Sequence, residues 1–84
     1  MSFTNNVLNI VNRENTYFQQ DEMTDEQIAF SSSENSDKNE KPANKDINEG
    51  NRLIKLVQNE LPGVNGSLDC VDEWVFITFR KDTP

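Results

Sequence analysis

The sequence predicts a small α+β fold. One helix is followed by an antiparallel β-hairpin, making an αββ unit, and a partly disordered acidic N-terminal arm containing short helical segments precedes it. Three observations predict this. An amphipathic helical period over residues 46–61 stops at Leu61-Pro62-Gly63, where proline disfavours helical geometry in the residue before it. Beyond the stop lies one unbroken strand-forming run, Trp74 to Arg80. Between the N-terminal arm and the helix, SSSENSDKNEKPANK holds a single apolar residue, Ala43, too few to offset the entropy of an ordered chain. The chain of 84 residues therefore divides into an acidic arm at 1–30, a disordered linker at 31–45 and the αββ unit at 46–84.

In the arm, Phe3, Val7, Ile10 and Val11 recur at helical spacing behind Ser2, a suitable cap. This short helix is expected to dock on whichever sheet face the main helix leaves uncovered. Thr24-Asp25-Glu26-Gln27 fits a capping box and predicts a further helical turn ending near Phe30.

In the main helix, Ile47, Leu53, Ile54, Val57 and Leu61 fall in a stripe about 120° wide. Asn48, Asn51, Arg52, Lys55 and Asn59 occupy the opposite side. Asp46 and Glu49 form the expected capping pair. Gly50 lies within the apolar stripe, where it marks either a close backbone approach or a later start to the helix.

Ser67 to Val71 alternates weakly, with Leu68 and Cys70 on one side, and Asp72-Glu73 makes the turn. In the last strand Trp74, Phe76 and Thr78 point one way and Val75, Ile77 and Phe79 the other. Both faces are apolar, so both ask for cover. Asn65-Gly66-Ser67 reads as a turn.

The folded candidate, residues 46–80, is 35 residues long. Domains below about 40 residues usually need a metal, a disulfide or a partner. With no His and a single Cys, neither a Cys/His zinc site nor an internal disulfide can form. Cover must come from residues 1–30, from a second copy or from a partner.

The same inventory argues against catalysis. There is no His base, Cys70 has no activating partner and reads as a buried apolar residue, and the three glycines form no phosphate loop. Asp69, Asp72 and Glu73 lack the spacing of a calcium loop. No catalytic residue, cofactor or metal is expected. The lack of an early cationic segment or a long apolar run predicts no secretory leader and no membrane span, and with the unpaired cysteine it predicts a cytoplasmic protein.

The net charge is −7, from 15 acidic and 8 basic residues. It divides as +1 over residues 1–13, −5 over 14–30, 0 over 31–45 and −3 over 46–84. Direct nucleic-acid binding is not expected, because phosphate contacts need clustered cations. The acidic block is interleaved with aromatic residues. That mixture suits a basic protein partner, charge speeding the encounter and aromatics supplying anchor energy.

The expected contacts are Tyr17, Phe18, Asp21, Glu22, Asp25 and Glu26, joined by Asp69, Asp72 and Glu73 of the αββ unit. The function expected is that of a small inhibitor or immunity-type protein, phage or mobile-element encoded, whose acidic surface mimics nucleic acid and occludes a nuclease or nucleic-acid-binding protein. The alternative is a self-associating structural or regulatory subunit, a homodimer formed through the Trp74–Phe79 strand.

Overall fold

The structure, a computed structural model, describes residues 2–35 and 41–81. The chain runs α1 (Phe3–Arg13), β1 (Gln19–Met23), β2 (Gln27–Ser32), α2 (Asn44–Glu60), β3 (Val64–Val71) and β4 (Trp74–Lys81). The four strands form one antiparallel sheet in the order β1-β2-β4-β3. The fold is α+β, and an αββ arrangement occurs twice in it. Each unit contributes an outer strand (β1, β3) and an inner one (β2, β4), and the two inner strands pair with each other.

The N-terminal helix forms where its period predicts. The Asn5 backbone N–H donates to Ser2 Oγ at 3.2 Å, and Val7, Ile10 and Val11 are buried. Its docking differs from the expectation. Those residues join the same core as Leu53 and Val57 of α2 and Ile28, Phe30, Val75, Ile77 and Phe79 of the sheet. Both helices therefore cover one face. The other face, carrying Trp74 and Phe76, is left open.

The acidic block is not an irregular arm but a β-hairpin. Thr24 opens a tight turn rather than a helix. Its Oγ accepts from the Glu26 N–H at 3.3 Å, and its own N–H donates to Gln27 O at 2.8 Å. Threonine's hydroxyl serves a turn as readily as a cap. What decides is the alternation after it. Ile28, Phe30 and Ser32 are buried while Gln27, Ala29 and Ser31 are half-buried, a two-residue period that a helix cannot satisfy.

The linker expected at 31–45 shrinks at both ends. Ser31 and Ser32 belong to β2, and Asn44 and Lys45 begin α2. Residues 36–40 lie outside the described residues.

The main helix starts two residues earlier than expected. Ala43 occupies the cap position and supplies no side-chain hydrogen bond, so Asp46 is not a cap but an interior first-turn residue. Gly50 is a close approach. A Cβ there would lie 2.8 Å from Leu68 Cδ1 and 3.1 Å from Ile77 Cγ2. Gly66 plays the matching part on the sheet, where a Cβ would lie 2.7 Å from Ile54 Cγ2. Gly66 therefore sits within β3 and not at a turn, and β3 begins at Val64. Asp72 closes the β3–β4 hairpin with φ of 53°, a left-handed conformation that Asp tolerates better than most side chains. Cys70 is exposed, not buried. Among the described residues no helix is long and apolar enough to cross a membrane.

Candidate functional site

Residues directly opposite in an antiparallel ladder share a face. On the side away from the helices this places Gln19, Ser31, Phe76 and Asp69 in one row. Glu22, Ala29, Thr78 and Ser67 form the next, and Trp74 and Val71 stand together at the end. Trp74 stacks on Phe76, with ring centroids 6.3 Å apart. Trp74 is 40% exposed and Val71 52%. A shallow hollow lined by Asp21, Ser31, Trp74 and Phe76 lies at this end of the face.

The acidic residues named from sequence frame the same face. Asp21 and Glu22 belong to β1, and Asp69 belongs to β3, so they mark the two edges. Asp72 and Glu73 form the hairpin turn that leads into Trp74. Asp25 and Glu26 form the other turn, beyond Gln27, at the far end beside Arg80. Pairing shifts between Gln20 and Glu22 and leaves Asp21 in a bulge, which blunts that sheet edge against further strand addition.

Charge is sorted between the layers. The segments carrying the strands and their turns, residues 16–35 and 62–81, hold eight acidic residues against Arg80 and Lys81. The helical segments, 2–15 and 41–61, hold four acids against five bases. There the charges are largely paired: Arg13 bonds Glu60 across the two helices, and Arg52 bonds Glu49 at 2.6 Å and Glu14 at 2.8 Å. Those two carboxylates, Glu49 first, hold the Arg52 guanidinium above its ordinary pKa.

Two expected contacts fall elsewhere. Phe18 is 6% exposed and belongs to the core, so it is not an anchor for a partner. Its ring packs just before β1 against Gly50 of α2, where an added Cβ would lie 3.5 Å from Phe18 Cζ. Tyr17 is half-buried around the end of the sheet. Its hydroxyl donates to Lys45 O at 3.0 Å. Burial raises the phenol's pKa, a hydrogen bond with Asn35 opposes the rise, and the carboxyl groups of Asp46 and Glu49 add to it. Tyr17 lines an open cleft of about 600 Å³ with Glu34, Asn35, Lys45, Asn48, Glu49 and Arg52.

Sequence reasoning missed Asp46 as anything but a cap. Its side chain is 0% exposed, and neither carboxyl oxygen has a hydrogen-bond partner. A buried polar group without partners is rare in folded proteins and costs free energy. Sequence reasoning also treated Trp74 and Phe76 as a dimer seam and not as the apolar end of the acidic surface. The alternation of Trp74, Phe76 and Thr78 with the buried Val75, Ile77 and Phe79 carried that signal.

β4 is an inner strand with both edges paired, so a second copy can meet it only through its open face. Among the described residues no group of three or more His, Cys, Asp or Glu is placed to hold a metal ion. No family model matches the chain, and no characterised protein or solved structure matches it either.

Proposed function

We propose that this chain is a small non-enzymatic binding protein that lays the open face of its sheet against a basic protein partner, as an inhibitor would. The observation that carries the reading is the stacked, partly exposed Trp74–Phe76 pair at one end of an open sheet face whose edges and turns carry acidic residues. An aromatic anchor within a charged rim is the usual anatomy of a specific interface. The partner's basicity follows from the excess of eight acids over two bases in the sheet layer. A partner that uses its cations to hold nucleic acid is the natural occupant, because the acidic frame competes for the same groups. Self-association through the same face is disfavoured by the same charge, since like frames would meet.

Trp74 is the only tryptophan, so its fluorescence reports docking directly. The experiment titrates the chain with a panel of basic nucleases at low and high salt, with duplex DNA as competitor. The expected result is a saturable change in Trp74 emission, weakened by salt and reversed by DNA. Trp74→Ser, read by calorimetry, should lose most of the affinity while keeping its fold. Binding that is indifferent to both salt and DNA, or that survives loss of Trp74, would refute the reading.

A further inference from the structure

The two edges of the sheet are built differently. β1, at one edge, is five residues long and broken by the Asp21 bulge. β3, at the other, is eight residues long and pairs with β4 without a shift of register. It has no Lys, Pro or bulge, the usual means of blunting an edge, and Asp69 is its one charge.

The hairpin fixes which backbone groups of β3 face outward. Asp72-Glu73 is a two-residue turn, so Val71 and Trp74 form a pair that exchanges hydrogen bonds. Bonded and non-bonded pairs alternate from there. The N–H and C=O groups of Cys70, Leu68, Gly66 and Val64 therefore point away from β4. Gln58 Nε2 donates to Val64 O at 3.3 Å, as that direction requires. Among the described residues no turn or cap bonds the backbone of Gly66, Leu68 or Cys70. Such a row is a template for another strand.

The helix above this edge offers a matching surface. Gly50 lies against Leu68, Ile54 against Gly66 and Gln58 against Val64, so α2 runs antiparallel to β3 and along it. Gly50 also meets Ile77, which places α2 over the groove between β3 and β4. One flank of α2 is tied to α1 by the Glu60–Arg13 and Arg52–Glu14 pairs. The flank toward the β3 edge carries Ile47, Asn51, Ile54 and Gln58 at i, i+4, i+7 and i+11. None is charged, and both isoleucines are only half-buried.

We propose that this edge joins two copies of the chain. β3 pairs antiparallel with its copy about a twofold axis at Ser67, and two four-stranded sheets become one. Charge sets the register. An axis at Ser67 puts Asp69 opposite Asn65 of the second copy, whose amide donates to the carboxylate. It also holds the two Asp69 carboxylates about 13 Å apart, four residues along the strand, beyond the Debye length of about 8 Å. An axis at Asp69 would set them face to face. Gly66 exchanges hydrogen bonds with Leu68 of the second copy. The two α2 helices lie two strand spacings apart, about 10 Å, the ordinary distance between packed helices, and their uncharged flanks meet. The pairing also enlarges the open face. Four strands about 4.8 Å apart and eight residues of about 3.3 Å each give at most roughly 500 Å² per copy; two copies together exceed the roughly 800 Å² per partner of a standard interface. The pairing itself does not depend on what docks there.

Sedimentation velocity on the full chain should show a dimer that dissociates on dilution through the micromolar range. Ser67 is exposed, so Ser67→Lys should keep the fold by circular dichroism. It would oppose two ammonium groups at the axis and should weaken the dimer at least about tenfold. In a Cys70→Ser background, Ser67→Cys should oxidise to a disulfide-linked dimer, since opposed non-bonded residues have Cα atoms about 4.5 Å apart. Asn65→Cys, about 13 Å from its copy, should not. Trp74→Ser should leave the dimer intact, so failure of the edge and failure of the docking face are read separately. A strict monomer would overturn the proposal and leave the edge to a strand of another protein. A Ser67→Lys chain that dimerises as its parent does, or Asn65→Cys cross-linking as readily as Ser67→Cys, would overturn it too.

Discussion

Replacing Gly50 by alanine sets two physical effects of similar size against each other. Gly50 lies inside α2, where alanine is the better helix former by about 0.5–1 kcal/mol. On that ground alone Gly50→Ala stabilises. The added methyl group, however, would enter a space already occupied. It would meet Leu68 Cδ1 at 2.8 Å, Ile77 Cγ2 at 3.1 Å and Phe18 Cζ at 3.5 Å. Leu68 can yield, being half-buried on an edge strand. Ile77 cannot, because it is β-branched, fully buried and on an inner strand. Overpacking of this kind costs about 1–3 kcal/mol.

The packing term wins, and the expected net effect is destabilisation by about 1 kcal/mol, which for a domain of this size lowers the melting temperature by about 4–8 °C. The assay is urea and thermal unfolding followed by circular dichroism. Leu68→Ala supplies the internal check: with the nearest atom removed, Gly50→Ala should cost at least about 0.5 kcal/mol less than it does alone. A Gly50→Ala protein more stable than the parent, or a Leu68→Ala background that changes nothing, would refute the close approach of α2 to the sheet.

Two more outcomes follow from the packing. Tyr17 is the only tyrosine, and its phenol titrates above the ordinary value of about 10; the folded state therefore keeps its proton when the unfolded state has lost it, and this contribution to stability is present below pH about 10 and lost as pH rises through the folded-state pKa. Tyr17→Phe should remove that alkaline decline, and an unchanged stability profile above pH about 10 would count against it. A chain of residues 41–84 alone should be unfolded or self-associated, because β4 loses the six positions paired with β2; a well-folded monomer in sedimentation and circular dichroism would show that the αββ unit needs no cover.

The second half of the fold was legible because its signals agree. The apolar stripe of α2, the Leu61-Pro62-Gly63 stop and the alternation in β4 all point to one arrangement. The hairpin of β1 and β2 was hidden for physical reasons. All five residues of β1 are exposed, so an edge strand with a bulge leaves no alternating pattern to read. β2 is short, and two of its six residues are serines at the start of a polar stretch. Ser32 is buried although its composition says linker, its Oγ accepting from the Glu34 N–H at 3.2 Å. The acidic frame was legible as a set of residues. Its geometry was not, because Asp21 and Asp69 are set on opposite edges of one sheet only through the pairing of β2 with β4. Phe18 and Tyr17 look alike in sequence, and only the core around Gly50 separates one from the other.

A 35-residue αββ unit was expected to require packing by residues 1–30, a copy of itself or a partner. What covers it is a whole second αββ arrangement, of unlike sequence, whose inner strand takes the place that a copy's strand would have taken beside β4. This answers the edge of β4 and, through α1, completes the layer beneath it. It does not answer the open face. Two helices laid on one side of a four-stranded sheet leave the other side to the solvent, and the sequence treats that side unevenly. Serine, alanine and threonine occupy much of the middle, as a solvated face would have it. Trp74, Phe76 and Val71 gather at one end instead, beside the Asp72–Glu73 turn and the Asp21 bulge. An apolar cluster kept in water next to unpaired acids contributes little to folding. Trp74 stands in the groove that leads to Tyr17, where the proposed docking would use it.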